Sequence, residues 1–150
     1  MGFASLARHF VSERISLAVT AYSTAQRALD LTVAWCRNRE TFGRPLIARQ
    51  VPRHTLVDMH RRISVARAYT REVAVRYSQG EAVILEALLA KNTAVEACDH
   101  VVDQAVQLHG GMGYMRESEV ERHYRDARVL GIGGGSTEVM NDLAARLLGY

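Results

Sequence analysis

A cluster of glycines and a few charged side chains are the residues of this chain whose types and spacing could do chemistry. The cluster reads RDARVLGIGGGSTEVM, Arg125 to Met140, with Gly131, Gly133, Gly134 and Gly135 ahead of Ser136 and Thr137. Glycine lets the backbone turn sharply and lets another molecule come close to the main chain. Ser136 or Thr137 suits the N-cap of a following helix, whose free N–H groups would face an anion. A plain link between two helices has the same composition. The string is not a dinucleotide fingerprint, because no strand pattern precedes it and its sixth position is Ser136.

Three further groups invite a chemical reading. Glu13, in SERISLAV, could be a base, although the first turn of a helix favours an acidic residue through its dipole alone. Arg39, Thr41, Phe42 and Gly43 follow the first long helical pattern, where an arginine also suits the carbonyl end of the helix. Gln107 with Gly110, Gly111 and Gly113 reads equally well as a helix C-cap and turn. The six histidines (His9, His54, His60, His100, His109 and His123) show no HExxH and no paired ExxH, which argues against a metal site. Cys36 and Cys98 lie inside helical patterns without CxxC spacing, as reduced, buried thiols would. No GxSxG or reactive-cysteine context points to a covalent nucleophile.

Helices must position these groups. Val11, Ile15, Ala18, Tyr22, Ala25, Leu29, Val33 and Cys36 recur at steps of three and four, predicting a helix over about 11–37. Gly43 and Pro45 stop it. Leu56, Met59, Ile63, Ala66, Thr70, Val73 and Tyr77 repeat the spacing from about Gln50 to Gly80, with Pro52 in the first turn. A third stripe over about 81–108 carries Ile84, Leu88, Lys91, Val95, Cys98, Val102 and Ala105. Lys91 interrupts that stripe and needs a carboxylate or carbonyl partner. A short amphipathic segment reaches about Val129, and a last helix spans about 137–148. Nothing alternates with period two for long enough to make a strand. The expected fold is all-α: an up-down four-helix bundle of long antiparallel helices with a short extra helix.

The chain has 150 residues, enough for one domain with a real core. Its 19 basic residues against 16 acidic ones give +3, with acids interleaved throughout, so no nucleic-acid footprint is indicated. Lys91 is the only lysine, and arginine suits bidentate phosphate contacts as well as helix surfaces. No apolar run reaches membrane-spanning length, and Met1 to Phe10 lacks the architecture of a signal peptide. A cytoplasmic protein is expected.

Taken in order, ERISLAV, the RxTFG segment with Gln50 seven residues beyond its glycine, QLHGGMGY and YRDARVLGIGGGSTEVM resemble the C-terminal helical domain of the acyl-CoA dehydrogenases. The resemblance covers essentially the whole chain. It implies one of three domains of an enzyme that dehydrogenates acyl-CoA at Cα–Cβ, using FAD and passing electrons to an electron-transfer flavoprotein. The N-terminal helical and middle β domains would lie outside these 150 residues, so the chain by itself would be inactive. It also implies a homo-oligomer, dimer or tetramer. The chemistry needs a carboxylate in a closed, poorly solvated pocket to take the α-proton.

In much of that family the base precedes the last glycine of the loop, and the matching position here is Gly134. In the isovaleryl- and long-chain-like subgroup the glutamate stands on the first helix, which matches Glu13 followed by Arg14. The resemblance thus makes Glu13 the expected base, with Arg14, Gly133 and Gly134 beside the acyl-CoA. It makes Arg39, Thr41 and Phe42 contacts to the FAD pyrophosphate and adenine of a neighbouring subunit. Gln50, Gln107 and Gly111 would extend those contacts, and Ser136 and Glu138 would reach the adenosine end. Glu138 stands where some members carry glutamine. The competing readings are a non-catalytic helical assembly module, a subunit of a split enzyme, and a related flavin oxidase such as an acyl-CoA oxidase.

Overall fold

The computed structural model describes the backbone of residues 2–150 and the side chains from Phe10 onward. His9 and most of the segment read for a signal peptide therefore lie outside the described side chains. Six helices appear: α1 (Gly2–Asn38), α2 (Gln50–Ser78), α3 (Ile84–His109), α4 (Gly111–Tyr114), α5 (Glu119–Ala127) and α6 (Thr137–Leu148). The fold is all-α, with three long helices against which the shorter α5 and α6 pack.

The apolar stripes form the core. On α1, Val11, Ile15, Ala18, Tyr22, Ala25, Leu29 and Cys36 are buried. On α2, Leu56, Met59, Ile63, Ala66, Thr70 and Val73 are buried. Each large aliphatic side chain such as Ile63 contributes about 1.5–3 kcal/mol by leaving water. Alanines on both sides of the α1–α3 contact (Ala18, Ala21, Ala25, Ala28 against Ala90, Ala94, Ala97, Ala105) let the two helices approach closely. Thr32 and Thr70 are buried, each donating its hydroxyl to a carbonyl one turn back, Ala28 O and Ala66 O, at 2.7 Å.

The three long helices run up, down and up. Val11 and Ile15 of α1 share a cluster with Val73 at the far end of α2 and with Val83, which precedes α3. Trp35 near the end of α1 stacks on His109 at the end of α3. So α1 and α3 are parallel, and their N-terminal ends meet at one pole of the bundle and their C-terminal ends at the other.

Three expectations need correction. Ile84 opens α3 but is 39% exposed, outside the buried stripe. A two-stranded ladder, β1 (Glu40–Thr41) with β2 (Arg44–Pro45), occurs where no strand was expected. It is too short for alternation to register; its turn residues carry the signal instead. Finally, α1 already runs from Gly2, which puts Glu13 about three turns inside the helix rather than in its first turn. The helix dipole gives no reason for a carboxylate there.

Candidate active site and nucleotide cleft

At the N-terminal pole, α1 presents Glu13 and, one turn on, Leu17. The chain between α5 and α6 folds back against them. A short 3-10 turn over Arg128–Gly131 leads into Gly134 and Gly135, whose φ values of +67° and +101° are left-handed. Only glycine adopts such angles without strain, so the backbone can lie flat on α1. A Cβ on Gly134 would come within 3.9 Å of Glu13 Oε1 and 2.5 Å of Leu17 Cδ1. Glu13 itself is exposed, open to whatever occupies the far side of the loop. Among the described residues no group of three or more histidine, cysteine, aspartate or glutamate side chains could hold a metal.

Two cations flank the carboxylate. Arg14, partly buried, has its pKa pulled below the ordinary arginine value by burial, with Glu13 opposing that shift. Its Nε is buried without a partner, and its guanidinium lies 5.4 Å from the Phe10 ring centre. Lys91, fully buried on α3, donates to Gly135 O, the carbonyl partner its place in the apolar stripe demanded. Ser136 caps α6 by accepting from the Val139 amide at 3.4 Å. Bonds from its own backbone and from the Ser136 hydroxyl hold the Glu138 carboxyl below the usual range.

The opposite pole carries an open cleft of about 670 Å³, lined by Trp35, Arg39, Thr41, Gln107, His109 and Gly111 among others. The β1–β2 hairpin forms one wall. Its turn residues, Phe42 and Gly43, both have positive φ, 50° and 73°, as the tightest hairpin turns require. Asparagine usually fills the first of these places. Phenylalanine there stores strain, and its ring is 98% exposed, a combination that marks functional positions. Arg49, which precedes α2, braces the hairpin. It donates to Thr41 Oγ1 at 3.2 Å and to Thr41 O, with its guanidinium 5.6 Å from the Phe42 ring centre. Trp35 and His109 stack at 5.0 Å, and the Arg39 guanidinium lies over the Trp35 ring at 5.9 Å from its centre. Burial lowers the His109 pKa below the ordinary histidine value. A guanidinium, a hydroxyl, an amide and stacked rings around an open cleft are a donor set suited to a diphosphate and its nucleoside.

Residues 1–149 match the family model for the acyl-CoA dehydrogenase C-terminal domain. The chain belongs to the acyl-CoA dehydrogenase family. It is 40% identical over 139 residues to the human mitochondrial short-chain specific acyl-CoA dehydrogenase, covering 93% of this chain and 34% of that one. It is 36% identical over 149 residues to a 3-sulfinopropanoyl-CoA desulfinase of Paraburkholderia xenovorans, covering 99% and 38%. A candidate acyl-CoA dehydrogenase from Mycobacterium smegmatis superposes with a TM-score of 0.96 at 64% identity, covering 99% of this chain and 39% of that one. The chain therefore spans between a third and two fifths of the length of these relatives.

Among the residues expected of an acyl-CoA dehydrogenase, Glu13, Arg14 and Gly134 come together, with Gly133 beside them in the loop. Arg39, Thr41, Gln107 and Gly111 share the distal cleft. Phe42 tops its hairpin, and Gln50 opens α2, exposed and outside the lining. Ser136 and Glu138 stand at the N-terminus of α6 and bond one another. Arg49 was missed, since an arginine between two helical patterns has no distinguishing signal. So was a second cavity of about 1360 Å³ against α3 and α5, lined by Asp99, Tyr114, Arg116, Glu121, Tyr124 and Arg128 among others; it meets the cleft at Gln107 and Met115. No helix among the described residues is long and apolar enough to cross a membrane.

Proposed function

We propose that this chain is the C-terminal part of an FAD-dependent acyl-CoA dehydrogenase in which Glu13 removes the α-proton of an acyl-CoA thioester. The observation that carries this is the approach of Glu13 Oε1 to within 3.9 Å of where a Gly134 Cβ would stand. Two sequence positions that serve as alternative bases in the family this chain resembles lie close together, and here only Glu13 holds a carboxylate. The α C–H bond breaks, its proton goes to the Glu13 carboxylate, and the electron pair becomes the new Cα–Cβ bond as the β-hydrogen leaves. Bound FAD would supply the acceptor for that β-hydrogen as hydride, and an electron-transfer flavoprotein would be the onward electron acceptor. Arg14 and the bare backbone of Gly133 and Gly134 border the acyl group.

Arg39, Thr41, Gln107 and Gly111 would hold the FAD diphosphate and nucleoside, with Phe42 and Gln50 at the edge of that cleft. Ser136 and Glu138, at the other pole, would approach the adenosine end of a dinucleotide held by another copy. Helix α1 is continuous from Glu13 to Trp35, a separation of about 33 Å along its axis. One dinucleotide does not bridge that length, so the cleft of one copy serves the flavin that works beside Glu13 of another. The protein is accordingly a homo-oligomer.

Glu13→Gln tests the assignment in the flavin-loaded protein that contains this chain. Flavin bleaching on mixing with acyl-CoA is expected to slow by about 100-fold or more, in the range of lost acid–base catalysis. Bleaching at the wild-type rate would falsify the role of Glu13.

A further inference from the structure

We infer that Lys91 is a positioning residue for proton abstraction: its buried ammonium clamps the glycine loop against Glu13. The inference rests on the reading of Glu13 as the base.

Lys91 lies on the core face of α3, between Leu88 and Val95, and is fully buried. An apolar side chain of that length would fill the same space, whereas a buried cation is costly unless it is paired. What the lysine adds is its bond to Gly135 O. The next residue continues the fastening: Asn92 Nδ2 donates to Thr137 O at 3.3 Å and to Asn141 Oδ1 at 2.9 Å. Adjacent α3 residues thus pin the chain on both sides of Ser136. Gly134 and Gly135, both left-handed, sit between this clamp and α1, so the clamp sets how closely the loop backbone approaches Glu13.

Lys91 also lies within electrostatic reach of Glu13 and Arg14: burial and the Arg14 guanidinium push its pKa down, and Glu13 pushes it up. The glycine loop contributes no charged side chain, and Glu138 on α6 answers to Ser136 and Arg128 instead.

The test compares Lys91→Met, Lys91→Gln, Asn92→Ala and Glu13→Gln in the flavin-loaded protein. Flavin reduction by an acyl-CoA is followed alongside amide exchange over residues 131–137. Lys91→Met is expected to slow reduction by about tenfold or more at saturating substrate, since small misplacements of a reacting group cost that much. KM should move far less. Exchange over the loop should accelerate. Asn92→Ala removes the second fastening, so it should speed loop exchange as well. Wild-type rates in Lys91→Met overturn the inference, as does a slowed reduction with loop exchange unchanged. If Lys91→Met does not fold, Lys91→Gln decides, because its side chain is one atom shorter and neutral and so holds Gly135 O less tightly; a wild-type rate there also overturns the inference. Glu13→Gln separates the two failures. Wild-type reduction in that variant sinks the base itself, whereas loss there beside a normal Lys91→Met sinks only the role of Lys91.

Discussion

Leu17 occupies the space that a side chain on Gly134 would enter, with its Cδ1 2.5 Å from the position of that Cβ. Moving the proposed base from Glu13 to Gly134 meets two obstacles. The φ of +67° adds about 1–3 kcal/mol of strain for any non-glycine residue, and the end of the Leu17 side chain must move aside. Gly134→Glu in a Glu13→Gln background should therefore leave flavin reduction well below the wild-type rate. Adding Leu17→Ala should raise that rate. Recovery from Gly134→Glu without the Leu17 change would show that Leu17 is not the obstacle.

Between elements, ion pairs tie the bundle together in a pH-dependent way. Arg27 on α1 donates to both oxygens of Glu119 on α5, at 2.8 and 3.0 Å, with His123 also 3.2 Å from that carboxylate. The Arg27 bond is the main cause that lowers Glu119 to about 2. On α2, Arg62 and Arg61 lower Asp58 to about 2, and His100 of α3 stands 3.0 Å away. Both carboxyls bind their protons more weakly when folded than when unfolded. Their contribution is complete above the ordinary carboxyl values of 4.5 and 3.8 and is lost as pH falls through about 2. Thermal unfolding midpoints should fall across that window, and Glu119→Gln should flatten the fall. An equally steep decline in Glu119→Gln would mean that the α1–α5 pair does not govern acid stability. These carboxyls are partly exposed, so the effect should also shrink in high salt.

For the whole molecule, parallel α1 and α3 put Glu13 with Lys91 at one pole and Trp35 with His109 at the other. The two halves of the candidate site cannot meet within one chain. Glu13→Gln and Arg39→Ala should each abolish activity when pure, one by removing the proposed base and the other by weakening the proposed flavin diphosphate contact. Co-expressed, they should regain about a quarter of wild-type activity, because half of randomly mixed dimers carry one intact site of two. No recovery in demonstrably mixed oligomers would mean that each chain supplies its own cleft.

The sequence by itself determined the helices and their buried faces. Repeats of three and four residues set those stripes, and local caps such as Ser136 depend only on near neighbours. Motif order marked Glu13, Arg39, Gln107 and the glycine loop. It did not determine where those groups stand, because 121 positions separate Glu13 from Gly134 and nothing local encodes their meeting. The tertiary structure decided that Glu13 lies inside a long helix, that Leu17 packs against the loop at Gly134, and that Arg49 braces the hairpin. It also turned Lys91 from an interruption in an apolar stripe into the clamp on Gly135. Only packing three helices up, down and up brings an α3 lysine beneath a loop that folds over α1. The same packing keeps the glycine loop and the cleft at opposite ends.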